Sequence, residues 1–193
     1  MNRTINKASK LNGTITVPGD KSISHRSIML GALSKGITHI SGFLTGEDCL
    51  STVSCFRKMG IEIEIDDTNV TVYGKGLYGL SKPNETLYVG NSGTTLRLMT
   101  GILSAQNFSC DITGDESIQK RPMDRVSIPL SLMGADITGT EKNGKLCAPL
   151  HINGKELKAI EYKLPVASAQ VKSAILLAAM YGKGETTVIE PEP

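Results

Sequence analysis

The chain has 193 residues, with 21 Lys and Arg against 19 Asp and Glu and a formal charge of +2. That length buries a core for one domain or a little more, and the near balance of charge gives no footprint for wrapping nucleic acid. No apolar run approaches the roughly 20 residues that span a bilayer, and the absence of Trp beside three Phe and five Tyr leaves little on which bases or sugars could stack. Cys49, Cys55, Cys110 and Cys147 lack paired CxxC spacing, and no apolar signal region opens the chain. These features predict reduced thiols in a cytoplasmic protein, without metal ligation.

The first informative segment is Pro18 to Arg26, Pro-Gly-Asp-Lys-Ser-Ile-Ser-His-Arg. It sets two cations, Lys21 and Arg26, and two hydroxyls, Ser22 and Ser24, around a predicted helix start. The first N–H groups of a helix are unpaired and carry partial positive charge, so this is how a small anion is held. Taken alone, a capped surface helix with solvated basic side chains explains it as well. The helix runs to Leu33, followed by a strand over Gly36 to Phe43 and a second helix over Glu47 to Met59. Gly60 suits the left-handed position past that helix, and Ile61 to Gly76 reads as two strands about the turn Asp66-Asp67-Thr68-Asn69.

The plan then recurs. Ser92 to Leu103 again leads a hydroxyl cluster into an apolar helix, and Gly93 leaves room for a ligand to approach backbone N–H groups, although a tight turn explains a glycine equally. Phe108 to Thr113 is the following strand. Pro122 to Met133 is the second helix, opened by proline at a tolerated first-turn position, with Arg121 at its anion-attracting start. Gly134 ends it, and Ala135 to Gly154 gives two strands about Lys142-Asn143-Gly144-Lys145. A third copy begins with the helix Ser168 to Ala179 and the strand Gly184 to Ile189, and stops at Glu190-Pro191-Glu192-Pro193. The leading serines lie 70 and 76 residues apart, and each precedes a cation by four or five residues, at Arg26, Arg97 and Lys172. The prediction is an α/β (α+β) fold of repeated βαβαββ units, two complete and a third truncated.

His25 lies among cations with no carboxylate adjacent in sequence, which favours a structural role; His39 and His151 look incidental. No HExxH, GxSxG, GxxxxGK[ST] or Rossmann glycine pattern is present, which argues against the common hydrolase, NTPase and dehydrogenase classes. What remains is an anionic-substrate site made of helix ends.

Pro18 to Arg26, Gly90-Asn-Ser-Gly-Thr-Thr-Leu-Arg97, Gly114-Asp-Glu-Ser-Ile-Gln-Lys-Arg-Pro122 and Ser168-Ala-Gln170 resemble, in order, the signature segments of the 5-enolpyruvylshikimate-3-phosphate synthase family. The resemblance implies the inside-out α/β barrel of the enolpyruvyltransferases, with two domains of three units each facing one cleft, of which this chain covers a little under half. It implies transfer of the enolpyruvyl group of phosphoenolpyruvate to the 5-hydroxyl of shikimate 3-phosphate, without cofactor or metal, on the way to chorismate and aromatic amino acids. Lys21 would touch both substrates, and Ser22 and Arg26 the shikimate hydroxyls and carboxylate. Ser168 and Ala169 would cradle the 3-phosphate, Gly93 and Arg121 would contact phosphoenolpyruvate with Asn91 nearby, and Gln170 would reach both. Glyphosate would use the phosphoenolpyruvate residues. Ala169 stands where some members have serine, which leaves a backbone contact only.

By the same resemblance, residues 1–18 form a strand segment that packs with a second, missing domain, and residues 19–193 form one domain. The proton-shuttling aspartate and glutamate lie beyond Pro193, so no catalytic acid or base is expected in this chain, Lys21 being the closest candidate, and the chain alone is expected not to turn over. Two other readings stay open. One is a non-catalytic half or partner subunit that binds shikimate 3-phosphate. The other is the sister enolpyruvyltransferase acting on UDP-N-acetylglucosamine, whose lead segment resembles Gly-Ala-Lys-Asn and whose loop cysteine has no counterpart in context here.

Overall fold

The computed structural model describes residues 3–191. The first unit comprises α1 (Lys21–Leu33), β1 (Lys35–Ile40), α2 (Glu47–Lys58), β2 (Glu62–Asp66) and β3 (Asn69–Lys75). The second comprises β4 (Leu87–Tyr88), α3 (Gly93–Leu103), β5 (Ser109–Thr113), a 3-10 turn (Ile118–Lys120), α4 (Asp124–Leu132), β6 (Asp136–Lys142) and β7 (Lys145–Asn153). The third comprises β8 (Glu161–Lys163), α5 (Ala169–Ala179) and β9 (Thr187–Ile189).

The repeat has a common physical core. In the second and third units a strand, a helix and a parallel strand form a crossover, β4 beside β5 and β8 beside β9. In the first two units a hairpin follows the second helix, β2–β3 and β6–β7, with strand orders β1-β3-β2 and β4-β5-β7-β6. The β6–β7 turn has positive φ at both Asn143 and Gly144, as a two-residue hairpin loop that matches strand twist requires. Gly60 (φ 85°) and Gly134 (φ 99°) occupy the left-handed positions past α2 and α4.

The first unit departs from the pattern. Residues 3–20 form neither helix nor strand, residues 3–18 are exposed throughout, and Ile5, Leu11, Ile15 and Val17 are 71–93% exposed. Among the described residues no strand pairs with them to satisfy their backbone groups. The outermost residues of the expected terminal segments, 1–2 and 192–193, lie outside the described region.

Helix α3 is apolar nearly all round, with Leu96, Leu98, Met99, Ile102 and Leu103 buried, so it forms the centre of the molecule. It packs against α1, α2 and α4 and along α5, which runs in the same direction. The α3–α5 approach is close because Gly101 has no side chain: a Cβ there would lie 2.3 Å from the Ala174 carbonyl oxygen. One apolar core joins the first two units to α5; all four cysteines are buried and unpaired, with Cys49, Cys55 and Cys110 within that core. Among the described residues no helix is long and apolar enough to cross a membrane.

Candidate anion-binding site

Three helices, α1, α3 and α5, present their N-termini to one region, and each is capped by a short side chain. Ser92 Oγ accepts the Thr95 N–H (3.1 Å) and Ser168 Oγ accepts the Val171 N–H (3.4 Å). In α1 the cap is Asp20, whose carboxylate accepts the Ile23 N–H at 2.7 Å, so the helix starts a residue before Ser22. Capping takes up a third-residue N–H and leaves the first two N–H groups of each helix free of intrahelical partners.

At the start of α1, Lys21 forms an ion pair with Asp48 in the first turn of α2, its side chain remaining 52% exposed. Ser22 is exposed beside it. Ser24, expected to join the anion-attracting set, is instead buried: its Oγ donates to the Asp20 carbonyl (2.8 Å) and accepts the Leu44 N–H (3.0 Å). It anchors the incoming loop. Arg26 is half-buried, and its Nη2 donates to Ser173 Oγ of α5 at 2.6 Å.

At the start of α3, Asn91 donates to Asp115 Oδ2 (2.8 Å) and accepts from Arg121 Nη2 (2.5 Å). The Ile118 N–H, then Asn91, then the Arg121 cation hold the Asp115 carboxyl below the usual carboxylate range. Arg121 does not stand at a helix start. The residue before a proline is pushed out of the helical region, and Arg121 adopts φ −85°, ψ 125°, closing the 3-10 turn; α4 begins three residues later, at Asp124. This bend lets Arg121 reach back to Asn91 and Gly93. A Cβ on Gly93 would lie 2.8 Å from Arg97 Nη1 and 3.1 Å from Arg121 Nη1, so two guanidinium ends converge on the space that glycine leaves open. Burial, then Arg121 and Arg125, lower the Arg97 pKa.

At the start of α5, Ser168 is half-buried and Ala169 exposed. Gln170 is clamped to α3: its Oε1 accepts from Arg97 Nη1 and its Nε2 donates to Thr94 Oγ1, both at 3.0 Å. The three cations of the repeat thus have different fates. Arg26 and Arg97 tie α1 and α3 to α5, while Lys172 pairs with Glu190 at 2.7 Å.

Lys21, Ser22 and Arg26, Asn91 and Gly93, and Ser168, Ala169 and Gln170 therefore lie at or beside the starts of three helices joined by these bonds, and Arg121 reaches the start of α3 from the turn before α4. Asp48, Thr94, Arg97 and Ser173 were not among the expected site residues. Only Arg97 had a legible signal, since a residue one turn after Gly93 lies over the same helix end. The region is an open charged face; a cavity of about 430 Å³ lies elsewhere, between Tyr78, Gln106, Lys155 and Tyr181 towards the other ends of α3 and α5.

Fold and site together define an α/β repeat protein that gathers helix N-termini and cations into one anion-attracting face. The model of EPSP synthase (3-phosphoshikimate 1-carboxyvinyltransferase) matches residues 5–193. A 3-phosphoshikimate 1-carboxyvinyltransferase of Shouchella clausii is 59% identical over 191 residues, covering 98% of this chain and 44% of that protein. One from a Thermoanaerobacter species is 54% identical over 193 residues, all of this chain and 45% of that protein. The structure of EPSP synthase from Acinetobacter baumannii superposes with a TM-score of 0.89 at 55% identity, over 94% of this chain and 41% of that one. The chain belongs to the EPSP synthase family, and it spans less than half the length of the curated relatives it matches.

Proposed function

We propose that this chain supplies the half of a 3-phosphoshikimate 1-carboxyvinyltransferase that holds shikimate 3-phosphate and one side of phosphoenolpyruvate. The observation that carries this reading is the convergence of three helix N-termini with Lys21, Arg26, Arg97 and Arg121 on one open face. Both substrates are multiply anionic and repel each other, so fixed cations and unpaired N–H groups are what brings them together. The N–H groups of Ala169 and Gln170 suit the 3-phosphate, with Ser168 beside them. Ser22 and Arg26 face the shikimate hydroxyls and carboxylate. Gly93, Asn91 and Arg121 suit the phosphoenolpyruvate phosphate and carboxylate, and Lys21 lies between the two ligands, exchanging its Asp48 partner for them. Gln170, oriented by Arg97 and Thr94, reaches both.

In the reaction the methylene carbon of phosphoenolpyruvate takes a proton while the 5-hydroxyl oxygen bonds to the adjacent carbon and loses its own. The resulting tetrahedral adduct then breaks its carbon–oxygen bond to phosphate and gives up a methyl proton, restoring the enol ether and releasing phosphate. The acid and base for these transfers are proposed to come from a second domain, against which residues 1–18 would pack, with residues 19–193 forming the present domain and the whole acting in the cytoplasm. A phosphate-release assay tests this. The chain with both substrates should release no phosphate, and adding the C-terminal portion of a longer family member should restore release; release by the chain alone, or none after complementation, would refute the division of labour.

A further inference from the structure

A buried polar chain runs from α1 to the cap of α3. His25, Thr52, Ser92 and Thr95 are all fully buried. His25 Nδ1 lies 2.7 Å from Thr52 Oγ1, Thr52 Oγ1 lies 2.7 Å from Thr95 Oγ1, and Thr95 Oγ1 lies 2.6 Å from Ser92 Oγ. Thr95 Oγ1 is also 3.3 Å from the Asp48 carbonyl oxygen.

Each hydroxyl has one hydrogen to give, which restricts the order of the chain. Ser92 accepts the Thr95 N–H and gives its hydrogen to Thr95 Oγ1. Two orders then use every hydroxyl hydrogen: Thr95 gives to Thr52 and Thr52 to His25 Nδ1, or Thr95 gives to the Asp48 carbonyl, Thr52 gives to Thr95 and the ring gives its Nδ1–H to Thr52. In both, the neutral His25 ring, Thr52, Thr95 and Ser92 stay linked. Neutrality follows from burial, which lowers the His25 pKa to about 4 with help from Lys21 and Arg26 and against Asp48. Among the described residues Nε2 has no hydrogen-bond partner. A buried polar nitrogen without a protein partner costs about 1–3 kcal/mol, so filling space, which an apolar residue would do as well, does not account for histidine here.

The ends of the chain do account for it. His25 is one turn from Lys21, Thr52 is one turn from Asp48, which pairs with Lys21, and Ser92 sits between Asn91 and Gly93. We propose that His25 is a positioning residue that acts through Thr52 and Thr95 to set the Ser92 cap, and with it Asn91 and Gly93, at a fixed distance from Lys21 and Ser22. The proposal rests on the reading of those residues as substrate-facing. Because neighbouring links share hydroxyl groups, removing one link deprives the next of a partner.

The test compares wild type with Thr52→Val, which keeps shape and loses the hydroxyl, with His25→Phe, with the conservative His25→Asn, and with the Thr52→Val, His25→Phe double variant. The first readout is hydrogen exchange at the Thr95 N–H, which needs no ligand; the second is the Kd for shikimate 3-phosphate. Thr52→Val and His25→Phe should each speed Thr95 exchange and raise the Kd about tenfold, the loss of one buried hydrogen bond. The double variant should do no more than either single one, and His25→Asn should recover most of both. Exchange at Ala32 and Leu33, at the far end of α1, should not change. Unchanged Thr95 exchange in Thr52→Val, or effects that add in the double variant, would overturn the proposal. If His25→Phe fails to fold, Thr52→Val alone decides on exchange. Absence of shikimate 3-phosphate binding by wild type would refute the functional reading, while Thr95 exchange would still decide the positioning role.

Discussion

Acidifying the protein should destabilise it through His25 before its carboxylates respond. The buried ring titrates at about 4 against 6.5 when unfolded, burial being the largest cause. The unfolded chain therefore takes up this proton over a pH range in which the folded protein does not, so the contribution is fully present above pH 6.5 and is lost as pH falls towards 4. The whole difference between the folded and unfolded values corresponds to about 3 kcal/mol, of which about 2 kcal/mol is lost between pH 7 and pH 5. The lowered carboxyls of Asp115, Asp136 and Glu156 weaken folding mainly at lower pH, because their ordinary values are 3.8, 3.8 and 4.5. His151, raised mainly by its bond to Asp111, has the opposite sign: its contribution is complete below 6.5 and is lost as pH rises through its folded value. Urea unfolding at pH 7 and pH 5 isolates His25 when wild type is compared with His25→Asn, which can bond Thr52 without titrating. Wild type should lose about 2 kcal/mol more than the variant over this interval. Equal losses would show that the His25 ring is not held neutral by burial.

Gly101→Ala would drive a methyl into the Ala174 carbonyl, where backbone must move; stability should fall by about 2 kcal/mol, seen as a Tm lower by about 4–8 °C. Lys21→Met should weaken binding of both shikimate 3-phosphate and phosphoenolpyruvate by about tenfold or more in calorimetry, the scale of a charged hydrogen bond, whereas Arg97→Ala, which removes the clamp on Gln170, should cost less. Gly93→Ala meets only the side-chain ends of Arg97 and Arg121 and no backbone, so Tm should hold within about 2 °C while phosphoenolpyruvate affinity drops.

Elements whose signals are local were legible in the sequence. The Asn143-Gly144 hairpin, the glycines past α2 and α4, and the serine caps of α3 and α5 depend on a few neighbouring residues, and they lie where periodicity and turn chemistry put them. The start of α4 is not legible because Pro122 has the composition of a helix opener, whereas its effect on the preceding residue dominates: Arg121 is extended and sits at the end of a turn. Asp20 caps α1 where the other two helices use serine, so the serine-led pattern places that boundary one residue late. The cross-links between helices were not legible at all. Arg97 and Gln170 are 73 residues apart, and Arg26 and Ser173 are 147 apart, so nothing in local composition marks them as partners. Ser24 likewise reads as one more hydroxyl near a helix start until the loop at Leu44 is seen to fold over it.

Calorimetric titration of the chain with shikimate 3-phosphate, beside unphosphorylated shikimate, tests the central claim that the three joined helix starts form a phosphate-reading half-site. The account predicts saturable binding of shikimate 3-phosphate that is weakened by Ser168→Ala, and much weaker binding of shikimate. Equal affinity for the two compounds, or no binding of either, would contradict it.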